Sequence, residues 1–199
     1  MTSEIVSPYF CMPKLKARVF LEPHHLDNNL MFHLLATLKE SKENKCCKHG
    51  YLQHIHDEND IEENITIVQG GLLRPENQDC STEFIVEFSA DVCRPIAGTL
   101  IIVQIDKIER VLVFATNGCI KVVFQNNDIS DMFYTNNEKI IYKNNHSALE
   151  EEDYVVVQVL DERFHTDDRE IKVIARLHDM ATPAMREKYY QPLEGEKKV

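Results

Sequence analysis

The sequence predicts two successive domains, an α+β unit of strand, helix and further strands, followed by an all-β barrel of five strands. Three observations carry this. A leucine stripe of helical spacing is flanked on both sides by segments of period two. The strongest alternation in the chain runs straight into an Arg94-Pro95 step. Five further strand-like segments then follow within about eighty residues.

The first element is Lys14 to Leu21, where Leu15, Ala17, Val19 and Leu21 alternate with Lys14, Lys16, Arg18 and Phe20, as in a half-buried strand. Pro23 ends it. Leu26, Leu30, Leu34 and Leu38, with Met31 and Leu35, then form one apolar helix face, for which Asp27 or a neighbour is a candidate N-cap. The polar run Lys39 to Lys45 closes the helix. Tyr51–His56 and Ile65–Val68 read as short strands, separated by an acidic loop, with Gly70-Gly71 as a break. From Thr82 to Val92, Phe84, Val86, Phe88, Ala90 and Val92 alternate with Glu83, Ile85, Glu87, Ser89 and Asp91, which puts one face in a core and the other in water.

Proline restricts its own backbone and that of its predecessor, so Arg94-Pro95 reads as a hinge. Beyond it the candidate strands are 99–105, 110–115, 120–124, 154–160 and 171–177, with turns at Asn117-Gly118 and 161–169. Five strands with a long insert, 125–153, between the third and fourth suit the OB-fold. The domains expected are therefore 1–93, 94–178 and a C-terminal tail, 179–199.

With 199 residues, 43% hydrophobic and 28% charged, the chain has the composition of a folded protein of one large or two small domains. No apolar run is long enough to predict a membrane helix, and the N-terminus lacks the pattern of a secretory signal, so no membrane partner is expected. A net charge of −11 argues against a dedicated tight binder of nucleic acid, though not against a local basic face. The six cysteines, Cys11, Cys46, Cys47, Cys80, Cys93 and Cys119, are expected as thiols.

No catalytic constellation is expected. Cys46, Cys47 and His49, with His54 and His56, are adjacent in sequence but lack the spaced pairs of a zinc site, so neither metal nor other cofactor is predicted. No local signature supports a Cys–His nucleophile, the acids look scattered through loops, and Gly70-Gly71 is too little for a phosphate loop. A nucleic-acid face is the stronger candidate. The barrel region offers Phe114, Phe124, Phe133, Tyr134 and Tyr142 for stacking and Lys107, Arg110, Lys121, Lys139, Lys143, Arg163, Arg169 and Lys172 for phosphates. Phe114 and Phe124 fit core packing at least as well. Arg110 and Lys121, on the second and third strands, have the better claim.

The order of these pieces resembles the larger stalk subunit of eukaryotic RNA polymerase II and its counterpart in the archaeal RNA polymerase, over residues 8–177. The resemblance is carried by Phe20-Leu21-Glu22-Pro23-His24-His25-Leu26, by Cys46 to Gly50 with Tyr51-Leu52, by Gly70-Gly71-Leu72-Leu73-Arg74-Pro75, and most strongly by the segment from Glu83 through Asp91 to Arg94-Pro95, with Gly98 beyond. It departs from the family where Val103 and Lys107–Arg110 replace glycines of the first barrel hairpin.

The resemblance implies a subunit without an active site of its own. Its N-terminal "tip" domain would dock near the clamp through Lys45, Lys48, Gly50, Tyr51, Gly70, Gly71 and Arg74. Its OB barrel would touch nascent single-stranded RNA weakly, with Lys107, Arg110, Lys121 and Lys172 as candidates. The implied partners are the large polymerase subunits and a small helical stalk partner, which a viral member need not have. The implied location is the nucleus, or the virion and a cytoplasmic viral factory for a viral member. The rival reading is a free single-stranded RNA-binding OB-fold protein of translation or RNA decay.

Overall fold

The structure, a computed structural model, describes residues 5–57, 65–73, 80–126, 128–136, 139–144 and 146–189. The chain forms two compact units, one spanning Tyr9–Cys93 and the other made by the chain on either side of it.

The first unit contains β1 (Tyr9–Leu21), a 3-10 turn (Pro23–His25), α1 (Leu30–Lys42), β2 (Lys45–Cys47), β3 (Gly50–Ile55), β4 (Ile65–Leu73) and β5 (Thr82–Cys93). β5 is its axis. It pairs antiparallel with β1 along one edge. Along the other it pairs with β3 from Ala90 to Cys93 and with β4 from Thr82 to Phe88, while β2 extends the sheet beyond β3. The alternation of β5 explains the core. Phe84, Val86, Phe88, Ala90 and Val92 meet Leu34, Leu35 and Leu38 of α1, together with Leu15, Val19, Leu21, Leu52, Ile55 and Ile65.

Several boundaries differ from expectation. The helix begins at Leu30, and Leu26 is exposed outside it, because Pro23 starts a separate 3-10 turn for which its fixed φ is suited. Asp27 is not the N-cap. Its carboxylate accepts the Asn29 N–H at 2.8 Å, and this bond holds the carboxyl below the usual range. The helix continues to Lys42, and Lys45 already belongs to a strand. Gly70-Gly71 does not break β4. The strand absorbs both glycines in irregular pairing between Gln69 and Leu72, with Gly71 at φ 71°, a conformation glycine adopts without strain.

In the second unit, β6 (Leu100–Ile108), β7 (Leu112–Asn117), β8 (Ile120–Gln125), β11 (Tyr154–Arg163) and β12 (Ile171–Met180) close into a barrel in the order β6-β7-β8-β12-β11 and back to β6. β8 and β12 run parallel and the other pairs antiparallel. A three-strand meander with the fifth strand beside the third and the fourth closing on the first is an OB-like barrel, as expected. Val113, Ala115, Ile120, Val122, Phe124, Ile171, Val173, Ala175 and Leu177 are buried within it. Gly118, at φ 57°, opens the two-residue turn between Asn117 and Ile120.

The sequence places residues 1–93 in one domain, but the N-terminal end groups with the barrel. Ile5 bridges to Leu100, and the Val6 N–H donates to the Leu100 carbonyl at 3.0 Å. The insert holds an unexpected hairpin, β9 (Phe133–Asn136) and β10 (Lys139–Tyr142). Past β12 comes a short helix, α2 (Pro183–Tyr189), whose Tyr189 is buried. The Asn117 Nδ2 donates to the Tyr189 hydroxyl at 3.0 Å and to the Ile102 carbonyl at 2.8 Å.

Candidate functional site

The expected docking residues separate into two groups. Lys45, Lys48, Gly50 and Tyr51 surround the β2–β3 turn, where Tyr51 lies opposite Cys93 of β5. Gly70 and Gly71 lie far down β4, between positions opposite Ile85 and Glu83. Eight to ten strand residues separate the two groups, roughly 26–33 Å. Arg74 lies outside the described residues.

Within the first group the roles differ. The Lys45 ammonium donates to the Ser41 carbonyl at 2.9 Å and the Glu40 carbonyl at 3.4 Å, satisfying carbonyls that the end of α1 leaves open. Gly50 is buried at φ 134°, a conformation that favours glycine. The Tyr51 hydroxyl donates to Asn44 Oδ1 at 3.3 Å. Lys48 is exposed at the turn.

The outer face of the same sheet corrects the expectation of scattered acids. Glu83, Glu87 and Asp91 recur every fourth residue along β5, so all three point away from the core. Each has a basic partner on a neighbouring segment. Arg18 lies 3.5 Å from Glu83, Lys16 3.4 Å from Glu87 and His56 3.0 Å from Asp91. Beside that last pair, Cys11 of β1 is the register partner of Asp91. The ligand atoms of Cys11, His56 and Asp91 all lie within 4.8 Å of one another. Burial, and then the Asp91 carboxylate, push the Cys11 thiol up, the opposite of what an activated nucleophile needs. The Cys46–Cys47–His49 stretch does not converge in this way. Cys46 is buried, and the Cys47 sulfur accepts the His49 N–H at 3.4 Å.

On the barrel, Lys121 of β8 and Lys172 of β12 are register partners, and Lys172 is in turn opposite Arg163 of β11. Three exposed cations thus lie in a row across three strands. Each has an acid within reach: Lys121 to Asp106 at 3.9 Å, Lys172 to Glu170 at 3.9 Å and Arg163 to Asp161 at 3.5 Å. Lys107 pairs with Glu109 at 2.7 Å, a bond that holds its ammonium above the ordinary range. Arg110 lies in the turn before β7, not on the strand as expected. Phe124 and Phe133 are buried and cannot stack on bases. Phe114, Tyr134 and Tyr142 are half-buried, and Tyr142 packs on Phe133 at 5.1 Å.

Sequence reasoning missed the Cys11–His56–Asp91 grouping and the adjacency of Arg163 to the two lysines. The alternation of β5 places Asp91 outward, but only the pairing of distant strands brings the other members beside it.

No family model matches the chain. It is similar to a protein of Acanthamoeba polyphaga mimivirus provisionally named a DNA-directed RNA polymerase subunit. The two are 29% identical over 177 residues, which cover 88% of this chain and 85% of the mimivirus protein.

Proposed function

We propose that the chain is an accessory subunit of a viral DNA-directed RNA polymerase, without an active site of its own. The similarity to the mimivirus protein carries this reading, because 88% coverage is more than either unit of the chain could supply alone. In this reading the N-terminal unit docks on the polymerase core as the tip of a stalk, and the OB-like barrel lies beside emerging single-stranded RNA. An open sheet that leaves Val68, Leu72 and Leu73 of β4 exposed supports a docking role for that unit. The Lys121–Lys172–Arg163 row supports RNA contact, and the acids beside it favour weak, salt-sensitive binding. As part of a viral polymerase, the chain works in a cytoplasmic viral factory.

The test is affinity purification of the tagged full chain from cells that express the viral transcription machinery, followed by mass spectrometry. Stoichiometric large polymerase subunits are expected. Their absence, with the chain recovered alone but retaining single-stranded RNA, would favour a free RNA-binding module.

A further inference from the structure

We infer that Cys11, His56 and Asp91 form a zinc-binding site on the outer face of the N-terminal sheet, with the fourth coordination position open to solvent. The three residues come from β1, the residue just past β3, and β5, so the fold gathers them from three separate segments. Their donor atoms are one sulfur, one imidazole nitrogen and one carboxylate oxygen. This mixed set suits zinc, which takes all three ligand types and in open sites keeps three protein ligands.

The geometry is nearly assembled. His56 Nε2 and Asp91 Oδ1 face each other at 3.0 Å as an ion pair, and zinc entering between them would widen that separation by only a few tenths of an ångström. All donor atoms lie within 4.8 Å of one another. Tetrahedral bonds of ordinary zinc length put donors about 3.5 Å apart, so closing the site needs an inward swing of roughly 1 Å. Cys11 is exposed, so its side chain has room for that rotation.

Two surrounding contacts fit a metal-bearing histidine. His56 turns its other ring nitrogen, Nδ1, toward Ser89 Oγ at 3.4 Å, and its backbone N–H donates to the Ser89 carbonyl at 3.1 Å. With zinc bound, the ring proton would move from Nε2, where it now faces Asp91, to Nδ1 beside the hydroxyl, freeing the Nε2 lone pair for the metal in the arrangement that orients ligating imidazoles. The neighbouring histidine is engaged elsewhere, with His54 Nδ1 held 2.8 Å from Glu43 Oε1.

Charge balances as well. Zinc carries two positive charges, and the Cys11 thiolate, Asp91 carboxylate and neutral His56 supply two negative ones. Binding releases the Cys11 thiol proton to solvent; no oxidation or reduction is involved. The bound ion would tie the end of β1 and the end of β3 to β5, and water would fill the fourth position.

The experiment uses the purified full chain, loaded with zinc and dialysed, with metal measured by mass spectrometry and the thiolate–metal charge-transfer band read after cobalt substitution. The wild-type chain is expected to retain stoichiometric zinc. Cys11→Ser and His56→Gln are expected to lose it, and Cys11→Ser to lose the cobalt band. Cys80→Ser, at an exposed thiol outside the group, is expected to keep both. Ser89→Ala should weaken zinc about tenfold by freeing the His56 ring. Circular dichroism verifies that each variant is folded. Substoichiometric zinc in the wild-type chain overturns the proposal. So does zinc retained undiminished by folded Cys11→Ser and His56→Gln.

Discussion

In the barrel every strand has a neighbour on both sides, whereas in the N-terminal unit β1 and β4 each pair, among the described residues, only with β5. The barrel and the N-terminal sheet each have five strands and each encloses an apolar core, yet they treat their edges differently. Closure satisfies the barrel's backbone internally and turns its inward side chains on one another. The open sheet covers one face with α1, balances its other face with the pairs Arg18–Glu83, Lys16–Glu87 and His56–Asp91, and leaves a β4 edge carrying Leu73 at 67% exposure. An edge of that kind is available for pairing or packing with another chain. The difference teaches that a barrel can be complete by itself while an open sheet retains surface for a partner. The proposed docking role therefore rests on the N-terminal unit.

The largest effects test whether the two cores are separate. Phe124→Ala empties the barrel interior at a side chain 1% exposed and should cost about 3–5 kcal/mol. Leu38→Ala, beneath the open sheet, should cost about 2–5 kcal/mol. Urea unfolding followed by a probe in each unit should show each substitution shifting its own unit's transition. A common shift at both probes would break the comparison. Next in size is the contact between α2 and the barrel. Asn117→Ala removes a buried donor that serves both the Ile102 carbonyl and the Tyr189 hydroxyl, for about 1–3 kcal/mol. Tyr189→Phe keeps the ring and removes one of those bonds, for about 1 kcal/mol. Equal effects at the two positions would mean that the Ile102 bond contributes nothing.

The same division appears in what the sequence reveals. The barrel strands were legible to within a few residues, because period-two alternation and the Asn117-Gly118 turn are local signals. The β9–β10 hairpin was not, since its stretch is polar and Asn-rich and buries chiefly Phe133 and Ile140. In the N-terminal unit, β5 was legible and the three-residue β2 was not. Gly70-Gly71 read as an interruption because a bulge and a break look alike until the partner strand is known. Candidate-site residues were legible only as residue types. Lys121 and Lys172 become neighbours through the parallel pairing of β8 with β12, and Cys11 meets Asp91 through the register of β1 with β5; neither pairing is encoded locally.

Exposed positions sharpen the comparison without touching either core. Leu73→Asp on the β4 edge should change folding stability by no more than about 0.5 kcal/mol. It should nonetheless reduce recovery of large polymerase subunits in a pull-down, and full recovery would remove β4 from the docking surface. On the barrel, Lys121→Glu with Lys172→Glu should leave that recovery intact. Weak RNA binding should lose about two from the slope of log affinity against log salt. An unchanged slope would place RNA contact elsewhere.

The smallest effect concerns how each unit uses its surface charges. In the N-terminal unit Lys39 of α1 reaches Asp57 at 2.6 Å across a separation of 18 residues, tying the helix to the chain just past β3. On the barrel, the Lys107–Glu109 pair spans only two residues and so restrains almost no tertiary structure. The hydrogen bond from Lys39 is the main influence holding the Asp57 carboxyl below its ordinary value. A lowered folded-state value means that the pair's contribution is present above the unfolded Asp value of about 4 and fades as pH falls through the lower folded one. Since Asp57 is 43% exposed, solvent screening keeps that contribution at or below about 1 kcal/mol. Lys39→Met should therefore lower the urea midpoint slightly at pH 7, and the gap from wild type should be smaller at pH 3. Lys107→Met should move the midpoint at neither pH. If the two variants behaved alike, the long-range pair would be as inconsequential as the local one, and the open sheet would depend on its apolar core alone.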